Sequence, residues 1–199
     1  FDFRPEYWKS SSPHQTLEQR WFAGVHSNIG GGYAHDGLAN IPFRWLVKEA
    51  AALGLALDGQ FVRFYQGYPQ ARLYASGSAV LRAVDAVPGR RGKGRRSLIK
   101  PEAPAHLKLD ITVFHRMNSD PDEFDQLDLY RPPNVMKYLA GQPDLDDYLA
   151  GYGVTLRADV RAQIGALKQP LSARVRRKLA TFRDAVASGK QFVASVGHT

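Results

Sequence analysis

Trp21-Phe22-Ala23-Gly24-Val25-His26-Ser27-Asn28-Ile29-Gly30-Gly31-Gly32-Tyr33 is the stretch on which the reading of this chain turns. An apolar run ends on a histidine, and three consecutive glycines follow close behind. Aromatic and branched residues between Gln19 and Val25 predict a strand that delivers His26 to the edge of a sheet. Glycine loses more backbone freedom on folding than any other residue. Gly30, Gly31 and Gly32 therefore predict a sharp bend with positive φ, or a close approach of backbone to something else. Imidazole takes and returns a proton near neutral pH, which makes His26 a candidate general base. Open α/β sheets bind ligands outside the carboxyl ends of their strands, and this reading puts His26 at such an end.

Working outward, residues 1–18 read as irregular, with Ser10-Ser11-Ser12-Pro13 as a surface loop. Gly30 to Gly37 reads as a loop. Asn40 predicts a helix cap, with Pro42 in the first turn, where a missing N–H costs little. Leu46, Val47, Ala50 and Leu53 fall on one helical face, and Gly54 ends that helix. Strand, histidine loop and helix make a βα unit. Farther on the patterns weaken. Phe61 to Tyr74 fits a short strand or a loop, and Ser78 to Val84 a short helix. Ile111 to Met117 fits a helix or a strand equally well. Asp120 to Tyr130 is acidic and turn-rich. Asp144 predicts a cap for a helix reaching Ala150. From Ala158 onward Val160, Ile164, Leu167, Leu171, Val175, Leu179, Phe182 and Val186 recur at three- and four-residue spacing. That is an amphipathic helical pattern, interrupted at Pro170.

A length of 199 residues allows one domain or one and a half, and a hydrophobic fraction of 44% is ordinary for a packed core. The absence of cysteine excludes disulfides and thiolate metal sites. No stretch is apolar enough to span a bilayer; the best, Leu46 to Leu57, is broken by Lys48, Glu49 and Gly54. The opening Phe1-Asp2-Phe3-Arg4-Pro5 reads as the interior of a longer chain. The net charge of +8 is local: residues 82–100 hold 7 basic and 1 acidic groups, 101–150 hold 4 and 10, and 151–199 hold 9 and 2. Two basic blocks flank an acidic one, which argues against a whole-protein nucleic-acid surface.

A base needs a nucleophile. The Gly-x-Ser-x-Gly elbow, which exposes a serine on a tight strand-to-helix turn, is absent from the chain. In α/β hydrolases the chain order is serine, then Asp or Glu, then histidine. The partners of a triad histidine at position 26 are thus expected upstream of Phe1. The run Arg90-Arg91-Gly92-Lys93-Gly94-Arg95-Arg96 lacks the aromatic residues that stack bases, and lacks phosphate-loop spacing. It reads as a solvated loop, or as a contact for anionic lipid worth about 1 kcal/mol per basic group. The basic amphipathic tail, with Arg174, Arg176, Arg177 and Lys178, docks its apolar stripe on the domain or lies on a membrane surface. His14, His26 and His35 are not at metal-ligand spacing, and Asp120 to Asp128 lacks the glycine and glutamate of a calcium loop. No metal or other cofactor is expected.

The segment from Trp21 to Tyr33, with Leu38-Ala39-Asn40-Ile41-Pro42-Phe43-Arg44-Trp45 after it, resembles the histidine motif of the type VI secretion lipase effector family of α/β hydrolases. Phe3-Arg4-Pro5-Glu6-Tyr7-Trp8 resembles the segment before that motif. Tyr130-Arg131-Pro132-Pro133-Asn134-Val135 resembles a late motif of the family, and Asp110-Ile111-Thr112-Val113 a weaker one ahead of it. Asn28 stands where many members carry aspartate. The resemblance implies a Ser-Asp-His esterase cleaving phospholipid acyl esters, with His26 as the triad histidine. Ser27, Asn28, Gly30, Gly31, Gly32 and Tyr33 would shape its loop or touch substrate. Arg90, Arg91, Lys93, Arg95 and Arg96 would meet anionic lipid.

The resulting expectation is the C-terminal part of an α/β hydrolase: last strand, histidine loop and helix, followed by a mostly helical extension. Residues 1–57 would end the hydrolase core. Residues 58–150 would form a family-specific extension or cap with a basic loop at 88–101, and residues 151–199 the basic helical tail. Alone, such a chain should be inactive. Its partners would be a phospholipid or other ester, a peripheral membrane surface, and a secretion-apparatus or immunity protein. It would be made in a bacterial cytoplasm and delivered to the periplasm or membrane of a target cell. The rival reading is a non-catalytic module whose basic patches contact anionic lipid, nucleic acid or a secretion partner. The surroundings of the imidazole discriminate: an open cleft favours hydrolysis, and enclosure by apolar side chains favours the module.

Overall fold

A computed structural model describes residues 7–74, 107–120 and 129–169 of the chain. The expected helix at Ser78 to Val84, the basic run with Arg90, Arg91, Lys93, Arg95 and Arg96, and the tail beyond Gln169 lie outside the described residues. So do Phe3 to Glu6 and most of the acidic stretch after Asp120.

The described residues are mostly helical, around a two-stranded parallel sheet. Strand β1 (Gln19–Trp21) leads to helices α1 (His26–Gly30), α2 (Asn40–Ala52) and α3 (Gly59–Phe64). Strand β2 (Leu107–Leu109) follows, then α4 (Ile111–Asn118), α5 (Pro133–Ala140), α6 (Leu145–Ala150) and α7 (Ala158–Lys168). Gln19 pairs with Leu107, Arg20 with Lys108 and Trp21 with Leu109. Parallel strands need a long crossover, and here most of the first half of the chain intervenes. The pairing extends past the strands, because the Asp110 N–H donates to the Trp21 carbonyl at 2.8 Å.

Several local readings differ from the structure. The strand ends at Trp21, and His26 opens a short helix instead of closing a strand. Gly30 is the last residue of that helix, so the loop starts one residue later than expected. Asn40 is not the cap of α2: Ala39 is, with no side-chain hydrogen bond. The Asn40 amide instead turns inward, donating to Asp36 Oδ1 and to the Gln66 carbonyl, both at 3.1 Å. The expected buried stripe of α2 is also revised, since Leu46 is exposed and Leu53 is 90% exposed among the described residues. Phe61 to Tyr74, expected as a strand or loop, contains the end of α3; Asp58 caps that helix by accepting from the N–H groups of Gln60 and Phe61.

The helical half follows its sequence more closely. Asp110 caps α4 through the Thr112 N–H, which resolves Ile111 to Met117 as helix. Asp144 caps α6 as expected, accepting from Asp146 and Asp147. Pro133 occupies the first position of α5, where its missing N–H has no helical partner to lose. Val160 and Ile164 bury the inner face of α7. The residue before a proline is pushed to extended backbone, and Gln169, preceding Pro170, ends α7 in that way. The core joins Leu109, Val113, Phe114 and Met117 to Val135, Met136, Leu139, Leu149, Leu156, Val160 and Ile164.

Two arginines hold this half together. Arg131 donates to the Met117 carbonyl at 2.5 Å and pairs with Asp159 at 2.8 Å, tying the approach to α5 onto α4 and α7. Arg116 is 1% exposed. Its guanidinium stands 5.3 Å from the Tyr130 ring centre. Burial pushes the Tyr130 phenol up to about 12, with Arg116 pulling the other way. A phenol protonated more tightly in the folded state gives stability that is full below the unfolded pKa of about 10 and lost as pH climbs to 12. Urea titrations should thus show stability falling by about 2 kcal/mol between pH 10 and 12 from this group. Tyr130→Phe should flatten that part of the profile; an unchanged slope would contradict the assignment.

Candidate active site

The histidine segment is built from the backbone outward. Gly24 has φ +139°, and a Cβ there would stand 2.4 Å from Asn28 Cβ, so only glycine lets the chain fold back onto Asn28. Val25 then caps α1 with extended backbone. Its N–H donates to Asn28 Oδ1 at 3.2 Å, closing the turn from within. Residues two apart on a helix point about 200° away from each other. Asn28 consequently faces the interior at 1% exposure, while His26 faces solvent. Among the described residues the imidazole has no hydrogen-bond partner and no apolar enclosure.

Asn28 makes a second bond, from Nδ2 to the Arg72 carbonyl at 3.5 Å. One oxygen accepts and one nitrogen donates, so an amide suits this position and a carboxylate satisfies only half of it. Asn28→Asp should destabilise the fold by about 1–3 kcal/mol in urea denaturation, since it aims an acceptor at an acceptor. Equal stability would show that the Arg72 contact carries nothing.

Beyond α1 the chain turns through Gly31 at φ +86° and Gly32 at φ +102°. A Cβ at Gly30, Gly31 or Gly32 would meet nothing within 4 Å among the described residues. The need for glycine at 31 and 32 is thus one of backbone angle, not of crowding, and this surface of the loop lies open. Ser27 is half-buried, and its carbonyl accepts from the Gly31 N–H at 3.1 Å. Tyr33 stacks on Tyr74 with ring centres 4.0 Å apart and planes 22° apart. The Arg72 guanidinium carbon lies 5.1 Å from the centre of the Tyr74 ring.

Residues 65–74 form a strap that braces this loop against the helical half. The Tyr68 N–H donates to the Gly37 carbonyl at 3.0 Å, and Asn40 holds the Gln66 carbonyl. Arg116 donates to the carbonyls of Pro69 and Ala71, the latter at 2.7 Å. Sequence reading passed over Arg72 and Arg116, because a lone arginine in a loop or helix reads as solvated surface.

Each strand is followed by a helix: α1 opens on His26, a few residues after β1, and Asp110, directly after β2, caps α4. Asp110 is buried. Its Oδ1 accepts from the Thr112 N–H at 3.0 Å and hydroxyl at 2.5 Å, and its Oδ2 faces Arg20 Nη1 at 3.4 Å. Arg20 also pairs with Glu18. Burial raises the Glu18 pKa, but Arg20 and Lys108 outweigh it and leave the carboxyl below its usual range. Among the described residues no three His, Asp or Glu side chains gather as a metal site. Nor is any helix there long and apolar enough to cross a membrane.

Residues 1–49 match the family model described as T6SS, phospholipase effector Tle1-like, catalytic domain. The match includes β1, the His26 helix, the glycine turn and most of α2. Over 44 residues the chain is 41% identical to an uncharacterized protein of Saccharomyces cerevisiae. That stretch is 20% of this chain, which spans 6% of the length of the yeast protein. No solved structure matches the chain. The similarity to type VI secretion phospholipase effectors thus rests on the segment that holds the candidate base.

Proposed function

We propose that this chain supplies the triad histidine of a serine esterase that cleaves acyl esters of phospholipids. The observation that carries the reading is the exposed, unenclosed His26 at the start of α1, inside the 49 residues that match a phospholipase catalytic domain. A serine hydroxyl is a poor nucleophile until an imidazole accepts its proton. The same imidazole then returns that proton to the leaving alcohol. In support, Asn28 and Gly24 fix the helix beneath His26 and leave its ring exposed to solvent. No serine of these 199 residues has elbow spacing. The nucleophile would then come from polypeptide outside them, and with the hydrolase chain order of serine, acid and histidine so would the acidic partner; the hydrolase would act as part of that larger chain. The family context extends the proposal to delivery by a type VI secretion apparatus, with a phospholipid membrane of the target cell as substrate and an immunity protein as antagonist.

The test is fatty-acid release from phospholipid vesicles. A longer natural polypeptide, carrying a Gly-x-Ser-x-Gly segment ahead of this sequence, should release it; the isolated 199-residue chain should not. Hydrolysis by the isolated chain that survives His26→Ala would overturn both assignments.

A further inference from the structure

We propose that Arg72, held by the Tyr33–Tyr74 stack beside the histidine helix, binds the phosphodiester of a phospholipid headgroup. The proposal rests on the esterase reading for the identity of the lipid, and it deepens that reading by naming the group that orients the substrate.

Four observations converge on this side chain. Arg72 is exposed, yet it is not free to wander, since its guanidinium lies over the Tyr74 ring and that ring is stacked on Tyr33. Among the described residues no carboxylate pairs with it, unlike Arg20, Arg131, Arg157 and Arg161, which all have one. Its backbone is fixed on both sides: the Arg72 carbonyl accepts from Asn28, and the neighbouring Ala71 carbonyl accepts from the buried Arg116. The turn at Gly30 to Gly32 joins the His26 helix to Tyr33, and a Cβ at any of its three glycines would meet nothing within 4 Å among the described residues.

A guanidinium over an aromatic face is pre-organised, so less freedom is lost when it meets an anion. Its planar fork matches two oxygens of one phosphate. Asn28 fixes the Arg72 backbone to the histidine helix, and the Tyr33–Tyr74 stack holds its guanidinium at the loop that follows that helix, so a phosphate gripped here would be held at the histidine's own loop. An ester carbonyl lies only a few bonds from the phosphate in a glycerophospholipid. Recognition of the phosphate would therefore position the bond to be cleaved, a gain of orientation and not of reactivity.

The experiment is a binding titration, read on the ring resonances of Tyr33 and Tyr74 in the full 199-residue chain. Three probes are used below their aggregation limits: dihexanoylphosphatidylglycerol, dihexanoylglycerol and inorganic phosphate. The phosphatidylglycerol should bind at least about tenfold more tightly than either other probe. Arg72→Gln should remove that preference, and Arg72→Lys should keep part of it, since a point charge remains without the fork. Equal binding of the two lipids, or full binding by Arg72→Gln, would overturn the proposal, as would failure of the phosphatidylglycerol to bind. Inorganic phosphate binding as tightly as the lipid would reduce the site to one for free anions and overturn it too. The readout is binding, so absence of ester hydrolysis by the longer polypeptide would sink the role of His26 and leave this result standing, and the reverse also holds.

Discussion

His26→Ala should lower kcat/KM for phospholipid ester hydrolysis by about 10⁴- to 10⁶-fold in the active, longer polypeptide. The imidazole acts on a proton in flight, so its loss falls on kcat and leaves KM nearly unchanged. What survives is the contribution of binding and of oxyanion stabilisation, about 10³- to 10⁴-fold over water. The same substitution should barely affect stability. The ring is exposed and has no partner among the described residues, and exposed sites of this kind usually change stability by under about 0.5 kcal/mol. That combination separates a base from a structural histidine, whose removal would cost stability first. A loss of activity below tenfold, or a fall in melting temperature that accounts for the loss, would sink the assignment.

The second large effect concerns a residue remote from any chemistry. Arg116→Ala should destabilise the chain by about 3 kcal/mol or more in urea denaturation. The guanidinium is buried, and among the described residues its partners are carbonyls and a phenol ring instead of a carboxylate. Burial accordingly pulls its pKa down. Removing it orphans the carbonyls of Pro69 and Ala71 and opens a cavity beside the Tyr130 ring. Arg116→Met isolates these contributions. It loses the same hydrogen bonds and the same charge as alanine but refills the volume, so its penalty should be smaller than that of alanine. Equal penalties would mean that the carbonyls, not the cavity, set the cost. A penalty below about 1 kcal/mol for alanine would mean that the strap needs no anchor.

The strap links these two results. Arg116 holds residues 69–71, and the next residue receives Asn28 from beneath His26. A loosened strap should therefore broaden the Tyr33 and Tyr74 resonances at temperatures where the helical core is still intact. Hydrogen exchange at Asn28 and Val25 reads the same release.

Parts of this structure were legible because their cause is local. Gly31 and Gly32 adopt positive φ, as a costly glycine run requires. Asp144 caps a helix because its carboxylate reaches two N–H groups within three residues. Val160 and Ile164 are buried because helical spacing puts both on one face. Others were illegible for an equally definite reason. Leu107-Lys108-Leu109 is too short to show a period, and its partner strand lies most of the first half of the chain away. Nothing near Arg116 announces that it faces inward. Leu46 and Leu53, 58% and 90% exposed, follow a buried pattern in sequence, yet exposure depends on what stands opposite.

The sequence by itself determined that the chain bends at Gly31 and Gly32, that Asp144 starts a helix, and that an apolar run hands over to a histidine beside a glycine turn; each follows from torsion, capping or spacing within a few residues. Only tertiary structure decided that His26 faces outward on a helix while Asn28 faces inward, and that Arg72 and Arg116 belong to the same assembly. Those outcomes depend on which distant carbonyls, rings and strands come within reach, and chain order places no limit on that.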